Sequence, residues 1–378
     1  MRFGGVWLLF FLLPVACDKP KQTHTLGEGY VGPMKLDLRA EVHPSSKVVA
    51  TLQHGERVEV VQVRRRFLRV RTASGIEGWT DVRQLMRAEQ MEELRNLFAM
   101  AKKLKSQGEA TVYEPLNVHT EPVRRSPSFY QIQPGEPVEV VGHQIAPRNA
   151  EPRASPFRLD PPKPPARKKK QESREKTDLP RPPAPKPPED WVELSRRQGP
   201  PEDEEKQDKQ PPRPVPMDDW SLVRLRNGKA GWALSINLRM NIPDEVAQYN
   251  EGARITSYFS LGTVRDGEEV KHNWLWTTMY GAGKPYEFDS FRVFVWVVKR
   301  HRYETAYIER NVEGYYPGEA QPGKTPIFSL ILRDPDDGKL YRKTYAFEVY
   351  RVVLRRTEPW EPDNRLVSAL FSLQKPGS

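Results

Sequence analysis

The chain has 378 residues, of which 37 are proline, 29% are charged and 37% are hydrophobic. That length suffices for two or three domains of ordinary size, and the proline-rich, polar composition excludes one packed core running from end to end. Sixty Lys and Arg against 50 Asp and Glu give a net charge of +10, which favours polyanionic neighbours: anionic lipid headgroups, wall polymers or nucleic acid.

Residues 1–16 open with the basic Arg2, continue through an apolar run from Val6 to Leu13, and end in small residues just before Cys17. This is the order of an export signal, and its apolar run is too short to span a bilayer. The segment Pro14-Val15-Ala16-Cys17 resembles the lipobox of bacterial lipoproteins. The resemblance implies cleavage after Ala16, a diacylglycerol on the Cys17 sulfur, and a short tether over 17–25. Ordinary secretory cleavage beside a free thiol is the alternative, but Cys17 is the only cysteine and a free thiol has little use in an oxidising compartment. At about 0.8 kcal/mol per buried CH₂, the implied acyl chains hold a protein firmly. The expected location is therefore the cell membrane or outer membrane, facing the periplasm or exterior. The expected partners are the membrane itself and peptidoglycan or an envelope protein; export removes nucleic acid from consideration.

The next two units, 26–87 and 109–143 together with 218–240, repeat one pattern. Leu36-Asp37-Leu38-Arg39 aligns with Leu116-Asn117-Val118-His119, and Gly55-Glu56-Arg57-Val58 with Gly135-Glu136-Pro137-Val138, both at an offset of 80 residues. Phe67 to Gly78-Trp79 aligns with Trp220 to Gly231-Trp232, now at an offset of 153. Seventy-three residues have thus entered the second copy between Val141 and Trp220. Alternation of apolar and polar residues through Val58, Val60 and Phe67 to Arg71 fits barrel strands with one buried face. The repeats resemble the bacterial SH3 domain, whose pattern runs from L-N-V-R through G-x-x-V-x-V to G-W. That resemblance implies a small binding barrel with no fixed ligand. Trp79 and Trp232 either close one end of each barrel or stack on a ligand, and aromatics in small barrels mostly fill space.

Between the copies, Met91, Leu94, Leu97, Phe98, Ala101 and Leu104 recur at helical spacing. They predict a helix over 88–107, ended by Gly108, that spaces the two barrels. Acidic residues at its start and Lys102, Lys103 and Lys105 near its end match the helix dipole.

The insertion, 144–217, holds 19 of the 37 prolines, the basic run Arg167-Lys168-Lys169-Lys170 and the acidic run Glu202-Asp203-Glu204-Glu205. It is expected to be disordered, with polyproline stretches. Because both its ends belong to one barrel it is a loop, and lengthening a loop from roughly 10 to roughly 73 residues costs only about 1.8 kcal/mol of closure entropy. A partner-catching arm and a solvated expansion without function both fit.

Region 241–360 reads as a second all-β unit, followed by a tail over 361–378. Asp266-Gly267 divides Ile255 to Val264 from Val270 to Met279, and Asp337-Gly338 divides Ile327 to Leu332 from Leu340 to Leu354, both hairpin signals. Phe291 to Val298 is apolar at nearly every position, as in a strand covered on both faces. Tyr280, Tyr286, Tyr315 and Tyr316 flank strands and Gly-rich turns, where they either line a groove or pack hairpins.

The predicted architecture is mainly β: two SH3-like β-barrels joined by a helix, then a C-terminal antiparallel β-sandwich or open barrel, with a long disordered insertion in the second barrel. The candidate ligand-binding residues are Trp79, Trp232, Tyr280, Tyr286, Tyr315 and Tyr316. No catalytic residue, metal ligand or cofactor is expected, since lipidation consumes the one thiol, no GxSxG, HExxH or phosphate loop is present, and His272 and His301 lack a ligand cluster. The expected role is an envelope-anchored binding or scaffold protein. Its competitor is an accessory wall hydrolase with the C-terminal unit acting on peptidoglycan.

Overall fold

Period-two alternation dominates the described chain, and it folds into strands. The computed structural model describes residues 25–152, 215–348 and 351–362; Cys17, most of the insertion and the tail lie outside the described residues. The first sheet comprises β1 (Gly27–Val31), β2 (Lys35–Arg39), β3 (Val48–Gln53), β4 (Arg57–Arg64), β5 (Phe67–Arg71), β6 (Glu77–Asp81) and β7 (Leu85–Met86). Its strand order is β3-β2-β6-β5-β4-β1-β7, all antiparallel where paired. Val31, Leu38, Val58, Val60, Leu68 and Val70 fill its interior.

The second sheet repeats the first strand for strand: β8 (Glu109–Thr111), β9 (Leu116–His119), β10 (Ser128–Ile132), β11 (Val138–Pro147), β12 (Met217–Arg224), β13 (Ala230–Leu234) and β14 (Arg239–Met240). Its order, β10-β9-β13-β12-β11-β8-β14, is that of the first sheet advanced by seven. Small polar details repeat as well. Arg39 Nη1 donates to the Ser46 carbonyl at 2.8 Å, and His119 Nδ1 lies 3.0 Å from that of Ser126. The Gln53 N–H donates to Glu56 at 2.7 Å, and the Gln133 N–H to Glu136 at 3.0 Å. A bulge interrupts β4 between Val60 and Gln62 and β11 between Val140 and Gly142. Gly55 and Gly135 take φ of +87° and +79° in the matching tight turns, a region where a side chain is strained. The two modules are one fold duplicated within the chain.

At the insertion the ladder runs further than the sequence boundary at 144 suggested. Gln144, Ile145, Ala146 and Pro147 pair with Trp220, Asp219, Asp218 and Met217. Alternation carried by Gln144, Ile145 and Pro147 is too short to stand out in sequence; Ala146 is buried all the same.

The helix, α1 (Ala88–Ala101), is shorter than the periodicity implied and is not a spacer. Lys102 caps it, and Leu104 falls in the turn beyond because Gln107 and Gly108 are drawn into the second barrel: Gln107 N–H donates to Val140 O at 2.7 Å. Met91, Leu94, Leu97 and Met100 pack into the core of that barrel. The barrels also touch directly, with the rings of His54 and Phe129 stacked at 5.0 Å.

The C-terminal unit is a meander: β15 (Arg254–Asp266), β16 (Glu269–Met279), β17 (Phe288–Val297), β18 (Arg302–Gln321), β19 (Ile327–Arg333), β20 (Leu340–Glu348) and β21 (Arg351–Pro359), each paired with the next. Of the two architectures expected, the chain adopts the open one: a single curled sheet in which β15 and β21 both approach the long β18. Both Asp-Gly hairpins form, between β15 and β16 and between β19 and β20. The segment from Leu340 to Leu354 holds two strands, β20 and the start of β21, since Glu348 pairs with Arg351. Both faces of β17 are covered, by Leu275, Phe328 and Tyr345 on one side and by Trp276 and Val246 on the other. Val246 belongs to the short helix α2 (Asp244–Ala247).

Candidate functional site

The duplicated fold supplies an internal control: equivalent positions can be compared between barrels. Trp79 and Trp232 both follow a glycine whose missing Cβ lets the neighbouring strand approach; a Cβ on Gly78 would lie 2.7 Å from Leu38, and one on Gly231 2.6 Å from Val118. Their surroundings then diverge.

In the first barrel Trp79 remains partly accessible and lines a groove of about 400 Å³. Phe67 forms a second aromatic wall, with the Arg66 guanidinium 5.0 Å above its ring. The β2–β3 loop, including Glu41, His43 and Pro44, forms the opposite side. Asp81 closes one end, accepting from the Arg83 N–H at 3.0 Å and pairing with its guanidinium at 2.9 Å. Partial burial opposes ionisation of Asp81, but Arg83 and Arg66 outweigh it and hold the carboxyl below the usual range. The groove therefore joins apolar ring faces to fixed charges of both signs, an arrangement suited to a short peptide or a decorated sugar.

In the second barrel the same place is filled. Trp232 is fully buried, and Trp220, the counterpart of Phe67, is 1% exposed. Glu121 and Pro122, from the β9–β10 loop, are also buried. Arg124 and Arg148 both pair with the buried Asp218 of β12, tying the β9–β10 loop to that strand. Trp232 is thus a core residue with no face open to a ligand.

The four tyrosines do not join either groove. Tyr280 is 45% exposed and its hydroxyl reaches the Glu251 carbonyl at 3.5 Å. Tyr286 and Tyr315 are half-buried neighbours: burial raises the Tyr286 pKa, and Asp289, Glu313 and Tyr315 add to the rise. The Tyr315 hydroxyl accepts from Arg333 at 2.7 Å. Tyr316 points the other way from its neighbour, into the junction between the second barrel and the meander, where its hydroxyl donates to the Thr256 carbonyl at 2.6 Å.

That junction holds groups that stand out only once the chain is folded. His143, on β11, lies 3.0 Å from Asp219 on β12 and 3.7 Å from Glu287 before β17. Asp219 also accepts from the Gly283 N–H at 3.1 Å. Burial alone would lower the His143 pKa, yet Asp219 and Glu287 reverse the balance and raise it. Burial likewise disfavours the Asp219 carboxylate, but His143 outweighs it and lowers the carboxyl, so both shifts favour the charged pair. Nearby, the buried Gln107 amide brackets the Gly318 backbone, accepting its N–H at 2.9 Å and donating to its carbonyl at 3.4 Å. The partners of His143 and Gln107 lie 76 and 211 residues away, so no local motif announces them. Among the C-terminal histidines, His272 bonds to Ser260 and stacks on Trp274, while His301 pairs with Asp266.

No family model matches the chain, and no curated protein does. Among solved structures it is similar to NlpC2 and NlpC1 of Trichomonas vaginalis, each at 10% identity. The alignments cover 90% and 92% of this chain and 98% of each of those chains, with TM-scores of 0.15 and 0.16. Superposition that poor carries no argument about either fold or activity.

Proposed function

We propose that this protein is a lipid-anchored envelope binding protein, held by Cys17, whose first barrel is a bacterial SH3-type module that takes a wall or protein ligand across Trp79. The observation that carries this reading is the contrast between two equivalent tryptophans. One is sealed in a core, and the other faces an open groove with Phe67 and fixed charges around it. The C-terminal meander and second barrel share a buried ionic junction and serve as the frame that displays the first barrel. Tethering outside the cytoplasm fits the export signal and leaves wall peptide, wall glycan or a neighbouring envelope protein as the ligand.

The test is capture from purified sacculi and envelope extract by the mature protein lacking residues 1–16. Loss of an aromatic anchor from a desolvated groove typically costs at least about 2 kcal/mol, so Trp79→Ala should weaken capture by roughly 30-fold. Undiminished capture by Trp79→Ala refutes the assigned groove. Membrane partitioning of Cys17→Ala equal to the wild type refutes the anchor. New fragments after incubation with peptidoglycan would replace the binding role with a hydrolytic one.

A further inference from the structure

A second groove, of about 730 Å³, lies where the second barrel meets the chain entering the meander. Its size is that of a ligand site, and domain junctions are where such sites concentrate. Two of its side chains have no counterpart in the first barrel. At the offset of 80, Tyr113 stands where the first barrel has Pro33; at the offset of 153, Ile236 stands where it has Arg83. Both substitutions put a large apolar side chain on the groove, and both side chains lie open, Tyr113 at 72% and Ile236 at 80% exposure. Nothing in the fold requires either, because the first barrel forms the same turns with Pro33 and Arg83.

One face of the Tyr113 ring is covered by the Arg239 guanidinium, 5.2 Å from its centroid, which Asp244 holds at 2.6 Å. The ring is therefore fixed in orientation with its other face available. Around it are the amides of Asn237, Gln248 and Asn250. Gln248 uses its NH₂ on the Glu245 carbonyl and Asn250 its oxygen on the Gly252 N–H, which leaves one acceptor and one donor directed elsewhere. The charges lining the groove balance, Glu114 and Asp244 against Arg239 and Arg254. A balanced, amide-lined groove has no net attraction for a polyanion, although the chain as a whole is strongly basic.

We infer that this groove binds a neutral glycan chain. The free face of Tyr113 stacks on the C–H face of a sugar ring, Ile236 covers an apolar ring edge, and the amides pair with hydroxyl or acetamido groups. Rigid aromatics contribute contact area at small entropic cost, and buried hydroxyls demand partners of both kinds. The site is separate from the Trp79 groove and does not depend on it.

Isotope-labelled mature protein lacking residues 1–16, titrated with oligomers of N-acetylglucosamine and of glucose, tests this by chemical-shift changes. The expected result is saturable shifts at Tyr113, Asn237 and Asn250. Tyr113→Ala should weaken binding at these residues roughly tenfold, the worth of one aromatic contact, while Tyr113→Phe stays within about twofold. Tyr113 is exposed, so its loss leaves the fold intact, checked by an unchanged melting temperature. The inference falls if neither oligomer shifts these residues at ~10 mM, well above a millimolar dissociation constant. It falls equally if Tyr113→Ala binds like the wild type, or if a proline-rich decapeptide or heparin saturates the groove instead.

Discussion

Replacing each of the two equivalent tryptophans by alanine should destabilise the protein very unequally. Trp232 is fully buried, in a site so tight that even a methyl group on the adjacent Gly231 would meet Phe129 at 2.7 Å. A buried tryptophan removes roughly 200 Å² from water, worth about 5 kcal/mol, and a rigid surround cannot close over the void. Trp232→Ala is therefore expected to cost 3–5 kcal/mol, to within the ~1 kcal/mol scatter of such substitutions. Trp79 is partly exposed against an open groove, so its removal forfeits only part of the transfer energy and leaves no sealed cavity, a smaller loss of about 2–3 kcal/mol. Hydrogen exchange read by mass spectrometry resolves the barrels by peptide and so separates the two effects. Peptides from β11 to β13 should lose protection strongly in Trp232→Ala, and those from β4 to β6 only mildly in Trp79→Ala. Equal losses, or the reverse order, would show that the two barrels do not differ at this position and would remove the argument for a groove in the first.

The ionic pair at the junction makes stability depend on pH. Because the His143 pKa is raised above its ordinary 6.5, its contribution is complete below that value and is lost as pH rises through the folded-state pKa. The Asp219 pKa is lowered from 3.8, so its contribution is complete above that value and is lost on acidification. Melting temperature should fall on the alkaline side, and His143→Gln should flatten that fall; an identical alkaline profile in the variant would refute the assignment. Replacing residues 153–214 by a short turn should leave the second barrel folded and more stable by about 2 kcal/mol in closure entropy, measured by urea unfolding, because the β11–β12 ladder is complete without them. Loss of protection at Trp220 in that variant would mean the insertion supports the barrel.

The repeat was legible because barrel strands and tight turns are set locally. Leu36 and Leu116, or Gly55 and Gly135, carry the same steric demand wherever they occur, and they mark the same strands and the same left-handed turns. The Asp-Gly hairpins and the doubly covered β17 were legible for the same reason. Burial of Trp79 and Trp232 was not, because Gly-Trp fixes only a strand position. What packs around Trp232 is the core of the second barrel, with Val118, Phe129 and Trp220 in the same cluster, assembled by the fold rather than by the dipeptide. The end of α1 was misplaced since Leu104 keeps the helical period while Gln107 is claimed by the barrel. His143 and Gln107 depend on partners far along the chain, a relation that neither spacing nor composition encodes.

The Gln107–Gly318 bracket sets a limit on how the chain can be divided. Without the meander the Gln107 amide keeps only its donation to the Lys105 carbonyl and loses both bonds to Gly318, leaving its buried oxygen without that partner, and water entering the cut would also reach His143 and Asp219. A fragment ending at Met240 should therefore be poorly soluble and lose the second barrel's shape, whereas one spanning 25–87 carries its own closed core. For recombination between relatives, the permissive seam is the stretch before α1, and the second barrel must be inherited together with the meander.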